Sequence, residues 1–378
     1  MENFRQQLGQ KIREMRERLG FSQQDLATQA GFSAHQIISA IEKGERDVKT
    51  WELVSLARVL KLSTIELLSQ ADLPAVPQVL WRKIPQQDQQ IKEAEFLKHC
   101  QDYFDLEQLC CLPAFPEFPP KKFDLETHDY SDVEQLALHV LKEFDLGSRP
   151  SDTLEGVLEN NYRVKIWYTD LGEDGSSAST IGSFGPAILM NRREAPWRRN
   201  YNFAHELFHL LTWYSIPAEW QQNKPELWTK IEKLANAFAS YLLLPAEQAT
   251  FAAQKCFKDN NIDHIDLVKI ARGFSVSTEA LLYRLLNSRL LSKKTVKEVL
   301  NDPKFRNIDR LSMSEHWKDS PAIPERYVLL AFTAYKKGKI SRTRLAQHLE
   351  TSLTNLTNFL LEYGLDDRQD YETKVRAA

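Results

Sequence analysis

The sequence predicts a mainly α-helical protein with a small β-sheet, an α+β fold, and two observations predict it. Apolar residues recur at helical spacing over residues 1–72 and over much of the chain after residue 125. Strand-like alternation is confined to three runs between residues 162 and 192: YRVKIWYT, ASTIGSF and PAILMNR. We therefore expect an all-α N-terminal domain, a central domain that holds the sheet, and a helical C-terminal region.

Length, charge and cysteine content limit the class of protein. A chain of 378 residues is long enough for two or three domains, and its net charge of -3 gives no whole-chain signal for nucleic acid. The N-terminus lacks the apolar core of a signal peptide, and no apolar run reaches the ~18 residues of a membrane span. The four cysteines form no C-x-x-C pair. These features favour a cytoplasmic protein with no membrane partner.

Proline-rich breaks and changes of pattern predict four segments. Residues 1–72 read as a domain of short helices, and residues 73–124 as a linker with one helix between the prolines of LPAVP and LPAFPEFPP. Residues 125–290 hold the predicted sheet and two long helices. Residues 291–378 are expected to be a helical C-terminal region.

The N-terminal segment carries the signals of a helix-turn-helix. Ser22 is a predicted cap for the helix QQDLATQA, Gly31 a predicted left-handed end, and Ser33 a predicted cap for the next helix. Four apolar residues are spaced to bury one face of the pair: Leu26, Ala30, Ile38 and Ile41. With its ISAIEKG core, this stretch resembles the Cro and lambda-repressor type of helix-turn-helix domain over roughly residues 4–68.

This resemblance implies that the second helix of the pair enters the major groove of operator DNA. The residues that would contact DNA are Gln23, Ala34, His35, Gln36 and Ser39. The alternatives are a solvated polar helix face, or a domain that recognises a protein. Residues 1–72 hold ten Lys/Arg and ten Asp/Glu, a net charge of zero, so a lone domain should bind DNA weakly and we expect a homodimer.

A second motif lies in AHELFH, residues 204–209. His205 and His209 are one helical turn apart and share a face, so both imidazoles can reach one metal ion, while Glu206 can reach a water molecule on it. This is the H-E-x-x-H arrangement of zinc peptidases, in which the glutamate is the general base. The neighbouring residues are nearly all apolar, which predicts burial. The alternative is a core in which each polar group is paired with protein.

A catalytic zinc site needs a third protein ligand. The metzincin extension is excluded, because Thr212 and Ser215 stand where that class has glycine and histidine. The downstream carboxylates are Glu219, Glu226, Glu232 and Glu247. Glu232 is the best candidate, since small residues such as Ala235 follow on its face and allow close approach of the two helices. Asn236, one turn away, can support the carboxylate.

AHELFHLL followed by EKLANAFASYLLLP resembles the ImmA/IrrE family of zinc metallopeptidases, over roughly residues 125–290. The resemblance implies a zincin-like peptidase domain with Zn²⁺ held by His205, His209 and Glu232, and Glu206 as catalytic base. It also implies that the substrate is a protein, typically a DNA-binding repressor that is cut at one site.

The run PAILMNR is a candidate substrate-binding strand. In zinc peptidases of this general architecture the substrate commonly lies along an edge strand, which would bring it to Ile188, Leu189 and Met190. The alternative is an interior strand without substrate contact. For the oxyanion stabiliser, Tyr201 and Tyr241 are candidates by residue type only.

Together these features predict a cytoplasmic DNA-binding regulator with a zinc metalloendopeptidase domain. That domain would cleave a partner protein, a transcriptional repressor, and so relieve repression. The alternative is a transcriptional regulator or antitoxin-like binding protein whose zinc domain senses or binds without hydrolysis. The presence of Glu206 favours the enzyme, because a structural zinc site needs no base.

Overall fold

A computed structural model of the chain describes residues 2–368 except 61, 63, 69–76, 87, 113–117, 126, 174, 218–219, 260 and 316–319. The chain forms two compact units: unit 1 comprises Met1–Val79 and Ile84–Gln101, and unit 2 comprises Leu80–Lys83 and Asp102–Ala378. None of the helices in the described ranges has the length and apolar content needed to cross a bilayer. The domain boundaries at residues 72, 124 and 290 stay predictions, and the proline-rich breaks lie largely outside the described residues.

Unit 1 is helical. Its helices are α1 (Glu2–Arg18), α2 (Gln23–Ala30), α3 (His35–Glu42), α4 (Thr50–Val59), α5 (Thr64–Leu68) and the first part of α6 (Gln89–Leu109). The four apolar residues predicted to be buried on α2 and α3 all lie in its core. Ser22 and Asp25 form a reciprocal capping box, and Gly31 has a φ of 77°, which confirms both predicted ends of α2.

The start of α3 differs from the prediction. Its N-cap residue is Ala34, with φ -158° and ψ 146° and no side-chain cap, so the assignment of Ser33 as the cap is wrong. Phe32 is buried and stacks on Trp51, with 5.9 Å between the ring centroids. With Phe32 held in the core, Ser33 lies in the turn and the helix begins one residue later.

Unit 2 combines a small sheet with many helices, so the chain as a whole has the predicted α+β fold with mostly helical content. Its strands are β1 (Leu80–Trp81), β2 (Lys165–Thr169), β3 (Ser177–Gly182) and β4 (Gly185–Asn191). Its helices, after the end of α6, are α7 (Tyr130–Glu143), α8 (Pro150–Asn160), α9 (Pro196–Thr212), α10 (Trp220–Asn223), α11 (Pro225–Leu243), α12 (Ala246–Gln254), α13 (His264–Gly273), α14 (Thr278–Asn287), α15 (Lys293–Asn301), α16 (Pro303–Glu315), α17 (Glu325–Lys336), α18 (Arg342–His348) and α19 (Leu356–Glu362).

The sheet is mixed, with the strand order β1-β3-β4-β2. β4 runs antiparallel to β3 and parallel to β2, and β1 pairs antiparallel with β3. The three predicted strands are therefore confirmed. The fourth strand, β1, lies in the stretch that the sequence predicts to be a linker.

β4 is an interior strand, which overturns one predicted substrate contact. Ile188 pairs with Ile166 of β2 on one side and with Ser179 of β3 on the other, so no peptide can be added along β4. Ile188, Leu189 and Met190 are at most 1% exposed. The edge-strand prediction for these three residues is wrong because strand order depends on non-local pairing, and the interior alternative holds.

α9 and α11 bring the candidate site together. α9 begins with Pro196 at its first position, where a missing N–H costs nothing, and it packs against β3, β4, α8 and α11. Every residue from 202 to 212 on α9 is buried. Ala235 and Ala239 of α11 are fully buried, and such small side chains allow close approach of two helices. α11 ends just before Pro245, as predicted.

Candidate metal centre

Three side chains from two helices converge in unit 2. His205 and His209 project from α9 and Glu232 from α11, with one ligand atom of each within 4.8 Å of the others. Nε2 of His205 lies 3.2 Å from Nε2 of His209, and carboxylate oxygens of Glu232 lie 3.1 Å and 3.3 Å from these two nitrogens. The three residues selected from the sequence thus form a possible metal site.

The spacing of these atoms fits a tetrahedral metal ion. Zinc holds imidazole nitrogen and carboxylate oxygen at about 2.0–2.2 Å, so neighbouring ligand atoms lie roughly 3.3–3.6 Å apart. The observed separations of 3.1–3.3 Å come close to this. Two imidazole nitrogens and a carboxylate oxygen are also the donor set that catalytic zinc sites use.

The ionisation of the cluster suits a cation. Burial lowers the pKa of His205, which keeps this imidazole neutral. Burial opposes ionisation of Glu232 as well, but hydrogen bonds from His205 and His209 outweigh it and hold the pKa of the carboxyl well below its usual range. The same carboxylate outweighs burial at His209 and raises the pKa of that imidazole. Glu232 is therefore ionised and attracts a divalent cation, which would displace the proton of His209 on binding.

A chain of hydrogen bonds supports the outer face of His205. Oδ1 of Asn236 lies 3.2 Å from Nδ1 of His205, and Arg82 donates to the same oxygen at 3.2 Å and also to Asn202. An acceptor at Nδ1 favours the tautomer that leaves the Nε2 lone pair free for a metal ion. Asn236 was predicted to support the carboxylate, but at the cluster its side chain contacts His205.

The sequence prediction missed Arg82 and Asn202. Asn202 is fully buried and donates to Ser176 at 3.0 Å and to Glu194. A buried amide one turn before His205, on an otherwise apolar helix, was a usable signal for it. Arg82 gave no such signal, because it lies in a predicted linker.

Glu206 lies beside the cluster, and its two carboxylate oxygens differ in their hydrogen bonding. Ser177 of β3 donates to Oε1 at 2.7 Å. Oε2 is buried and has no hydrogen-bond partner within the described chain. Burying an unsatisfied carboxylate oxygen is costly, so its persistence here suits a group that must exchange a proton with water.

Aromatic groups near the centre have other contacts. Trp228 stacks on His209 with 5.5 Å between the ring centroids and an interplanar angle of 11°. The hydroxyl of Tyr201 donates to the backbone oxygen of Asn236 at 2.7 Å. Tyr241 lies under a different group, the guanidinium of Arg284, 4.7 Å from the ring centroid. Of the three other glutamates considered as a third ligand, Glu226 and Glu247 are exposed, and Glu219 lies outside the described residues.

In unit 1, the predicted DNA-contact residues at and after the start of α3 are exposed or half-buried. His35 and Gln36 are exposed, and Ala34 and Ser39 are half-buried. An exposed polar stretch at the start of the second helix is the arrangement that base contacts require.

Gln23 instead forms a hydrogen bond within the domain. Its amide donates to Oε2 of Glu42 at 2.9 Å. Glu42 is buried and also accepts from Arg16 at 2.6 Å, so these three side chains link α1, α2 and α3. A DNA contact by Gln23 stays a prediction, and it would compete with this hydrogen bond.

Comparison with known proteins agrees with both motifs. The peptidase M78 family model, described as the IrrE N-terminal-like domain, matches residues 160–286, and a helix-turn-helix domain model matches residues 7–69. A solved structure, a Mycobacterium tuberculosis transcriptional regulator, is similar at 16% sequence identity with a TM-score of 0.31. That similarity covers 49% of this chain and 51% of the other, about half the length of each. None of the curated proteins matches the chain.

The first of these matched ranges contains the whole candidate metal centre, and the second contains α2 and α3. The chain therefore combines an N-terminal helix-turn-helix domain with an IrrE N-terminal-like domain of the peptidase M78 type.

Proposed function

We propose that this protein is a DNA-binding regulator whose second domain is a zinc-dependent endopeptidase. The endopeptidase cleaves a partner protein, a transcriptional repressor, and so relieves repression. The observation that carries the proposal is the convergence of His205, His209 and Glu232 beside a buried Glu206 with one open oxygen.

In this proposal the four residues divide the work. His205, His209 and Glu232 hold Zn²⁺, which when bound polarises the attacking water and the scissile carbonyl. Glu206 takes a proton from the water and passes it to the leaving amine. Ser177 orients Glu206 through its hydrogen bond of 2.7 Å. Asn236 keeps the His205 ring in the orientation that binding needs.

The helix-turn-helix domain would bring the protein to operator DNA. The exposed start of α3, with His35 and Gln36, is the surface that we propose for operator DNA. The zero net charge of residues 1–72 leaves few unopposed phosphate contacts, so we propose that a homodimer is the DNA-binding form. Because both proposed partners are DNA and a DNA-binding repressor, we propose that the protein acts in the cytoplasm.

The test is to find which repressor disappears when this protein is activated. Whole-proteome measurements on cells with the wild-type chain and with Glu206→Gln should show one DNA-binding protein that is lost only in the wild type. Recombinant wild-type protein should then cut that repressor at one bond. A repressor that is inactivated equally in both strains, without a cut, would instead support the regulator that binds without hydrolysis.

A further inference from the structure

The edge of β3 lies next to Glu206, and a short segment of the same chain occupies it. Leu80 pairs with Ser179 and Trp81 with Ala178, antiparallel. The pairing continues beyond the strand, since the Arg82 N–H donates to the Ser177 oxygen at 3.0 Å and the Ser176 N–H donates to the Lys83 oxygen at 3.3 Å. Leu80–Lys83 therefore covers the edge of β3 at the residue that orients Glu206.

β3 has two hydrogen-bonding edges, and this edge is the one where a peptide could be added. Its other side is taken by β4 over the whole length of the strand. A peptide bound in extended form to a sheet edge uses main-chain hydrogen bonds for affinity, and the segment Leu80–Lys83 already makes such bonds here.

The segment is also held by side chains of the domain. Gln221 donates to the Trp81 backbone oxygen at 2.7 Å, on the opposite side of the segment from β3. The Arg82 guanidinium donates to the amide oxygens of Asn202 and Asn236. An extended backbone that pairs with a sheet edge, with a side chain held in a pocket, is a recurring way in which proteins bind peptides.

Most of the centre beneath this edge is shielded from solvent, and only the Glu232 side chain among its four residues is substantially exposed, at 22%. His205 and Glu206 are completely buried and His209 is 3% exposed. A hydrolytic site of this kind has to admit a water molecule and a peptide carbonyl, and a peptide that pairs with the edge of β3 can do so only when Leu80–Lys83 has moved. The two residues of β1 form the shortest strand of the sheet and thus the one with the fewest ladder bonds to break.

We propose that Leu80–Lys83 is an internal substrate mimic that blocks the β3 edge, and that a substrate docks there as an extended segment with a basic side chain. This rests on the proposed function and specifies its substrate docking and its regulation. Displacement of the mimic opens the edge. The chain on both sides of the mimic, up to Val79 and from Ile84, belongs to unit 1. A conformational change in unit 1 would therefore be expected to influence release of the mimic.

The mimic can be locked by a disulfide. In the full-length Leu80→Cys/Ser179→Cys protein the two cysteines face each other across an antiparallel pair, within disulfide range. Ser179 suits the exchange, since its buried hydroxyl has no hydrogen-bond partner in the described parts of the chain. The two single-cysteine variants control for the exchanges and for the native free thiols.

The mimic can also be released. Arg82→Pro removes the N–H that bonds Ser177, together with the guanidinium. Arg82→Ala removes only the guanidinium, so the difference between the two variants reports the strand pairing. Hydrogen exchange of the Ser176 amide, which donates to Lys83, should speed up at least tenfold in Arg82→Pro relative to Arg82→Ala.

The probe is a fluorescein-labelled peptide with the sequence of residues 78–85, followed by anisotropy. It should bind Arg82→Pro at least tenfold more tightly than the oxidised double-cysteine protein, and reduction of the disulfide should restore the binding seen in wild type. Equal binding to all proteins, or none to Arg82→Pro when its Ser176 amide exchanges fast, overturns the proposal.

Neither readout needs zinc or hydrolysis, so the two proposals fail separately. Peptide binding that follows release, without cleavage of any repressor, would refute the peptidase and leave the mimic. Repressor cleavage that is as fast in the oxidised double-cysteine protein as after reduction would refute the mimic and leave the peptidase.

Discussion

Asn236 and His205 are joined through the side of the imidazole that faces away from Glu232: Oδ1 of Asn236 lies 3.2 Å from Nδ1 of His205. A metal-binding histidine normally donates its second N–H in this way, and loss of the acceptor typically costs 10–100-fold in metal affinity. The contact makes α11 a support for His205 as well as the source of Glu232.

We therefore expect Asn236→Ala to bind zinc roughly 10–100-fold more weakly than wild type. Asn236→Asp keeps an acceptor at the same position and should restore most of the affinity. Competition with a fluorescent chelator measures both. Equal weakening in the two variants would show that Asn236 acts by packing and not as an acceptor.

Glu232→Gln should lose metal, since a neutral amide is a poor zinc ligand. Elemental analysis of protein purified without chelators should give about one zinc per wild-type chain and much less in the variant. Glu226→Gln is the matched control, because Glu226 lies on the same helix but is exposed. Metal retained undiminished in a His205→Ala/His209→Ala double variant would contradict the whole assignment.

Glu206→Gln should keep zinc but lose hydrolysis by ~100-fold or more, the contribution of a positioned general base. The amide oxygen can still accept the Ser177 hydrogen bond, so the fold of the site is retained, but the amide cannot take the proton of water. Zinc content and repressor cleavage are measured on the same preparation. A variant that loses its metal would show that Glu206 is a ligand, contrary to the division of roles given above.

DNA binding by the full chain should require a dimer, because residues 1–72 carry no net charge and a single copy has few unopposed phosphate contacts. Duplexes selected from a random pool, titrated by anisotropy at several salt concentrations, provide the measurement. Gln36→Ala should lower the preference for the selected sequence, while Gln10→Ala, on the exposed face of α1, should not. Tight binding by a proven monomer would contradict the expectation.

The local parts of the site were predictable from sequence. His205, Glu206 and His209 follow from the H-E-x-x-H spacing within an apolar helix, and Glu232 from the small residues that let α11 approach α9. The order of the strands was not predictable from sequence, because it depends on pairing between distant segments. The position of β4 inside the sheet and the pairing of Leu80 with Ser179 are of this kind. β1 is too short, at two residues, to show any alternation.

Unit 1 is discontinuous in sequence: the chain leaves it at Val79, forms β1 in unit 2, and returns at Ile84. Ala94, on the returning helix, packs against the same core as α2 and α3. A recombination event that replaced only residues 1–72 with another repressor-like module would therefore leave this helix facing a foreign core. A viable exchange has to carry the whole stretch through residue 101, and with it β1 and Arg82. The helix-turn-helix core and one strand of the unit 2 sheet are thus inherited as a single block.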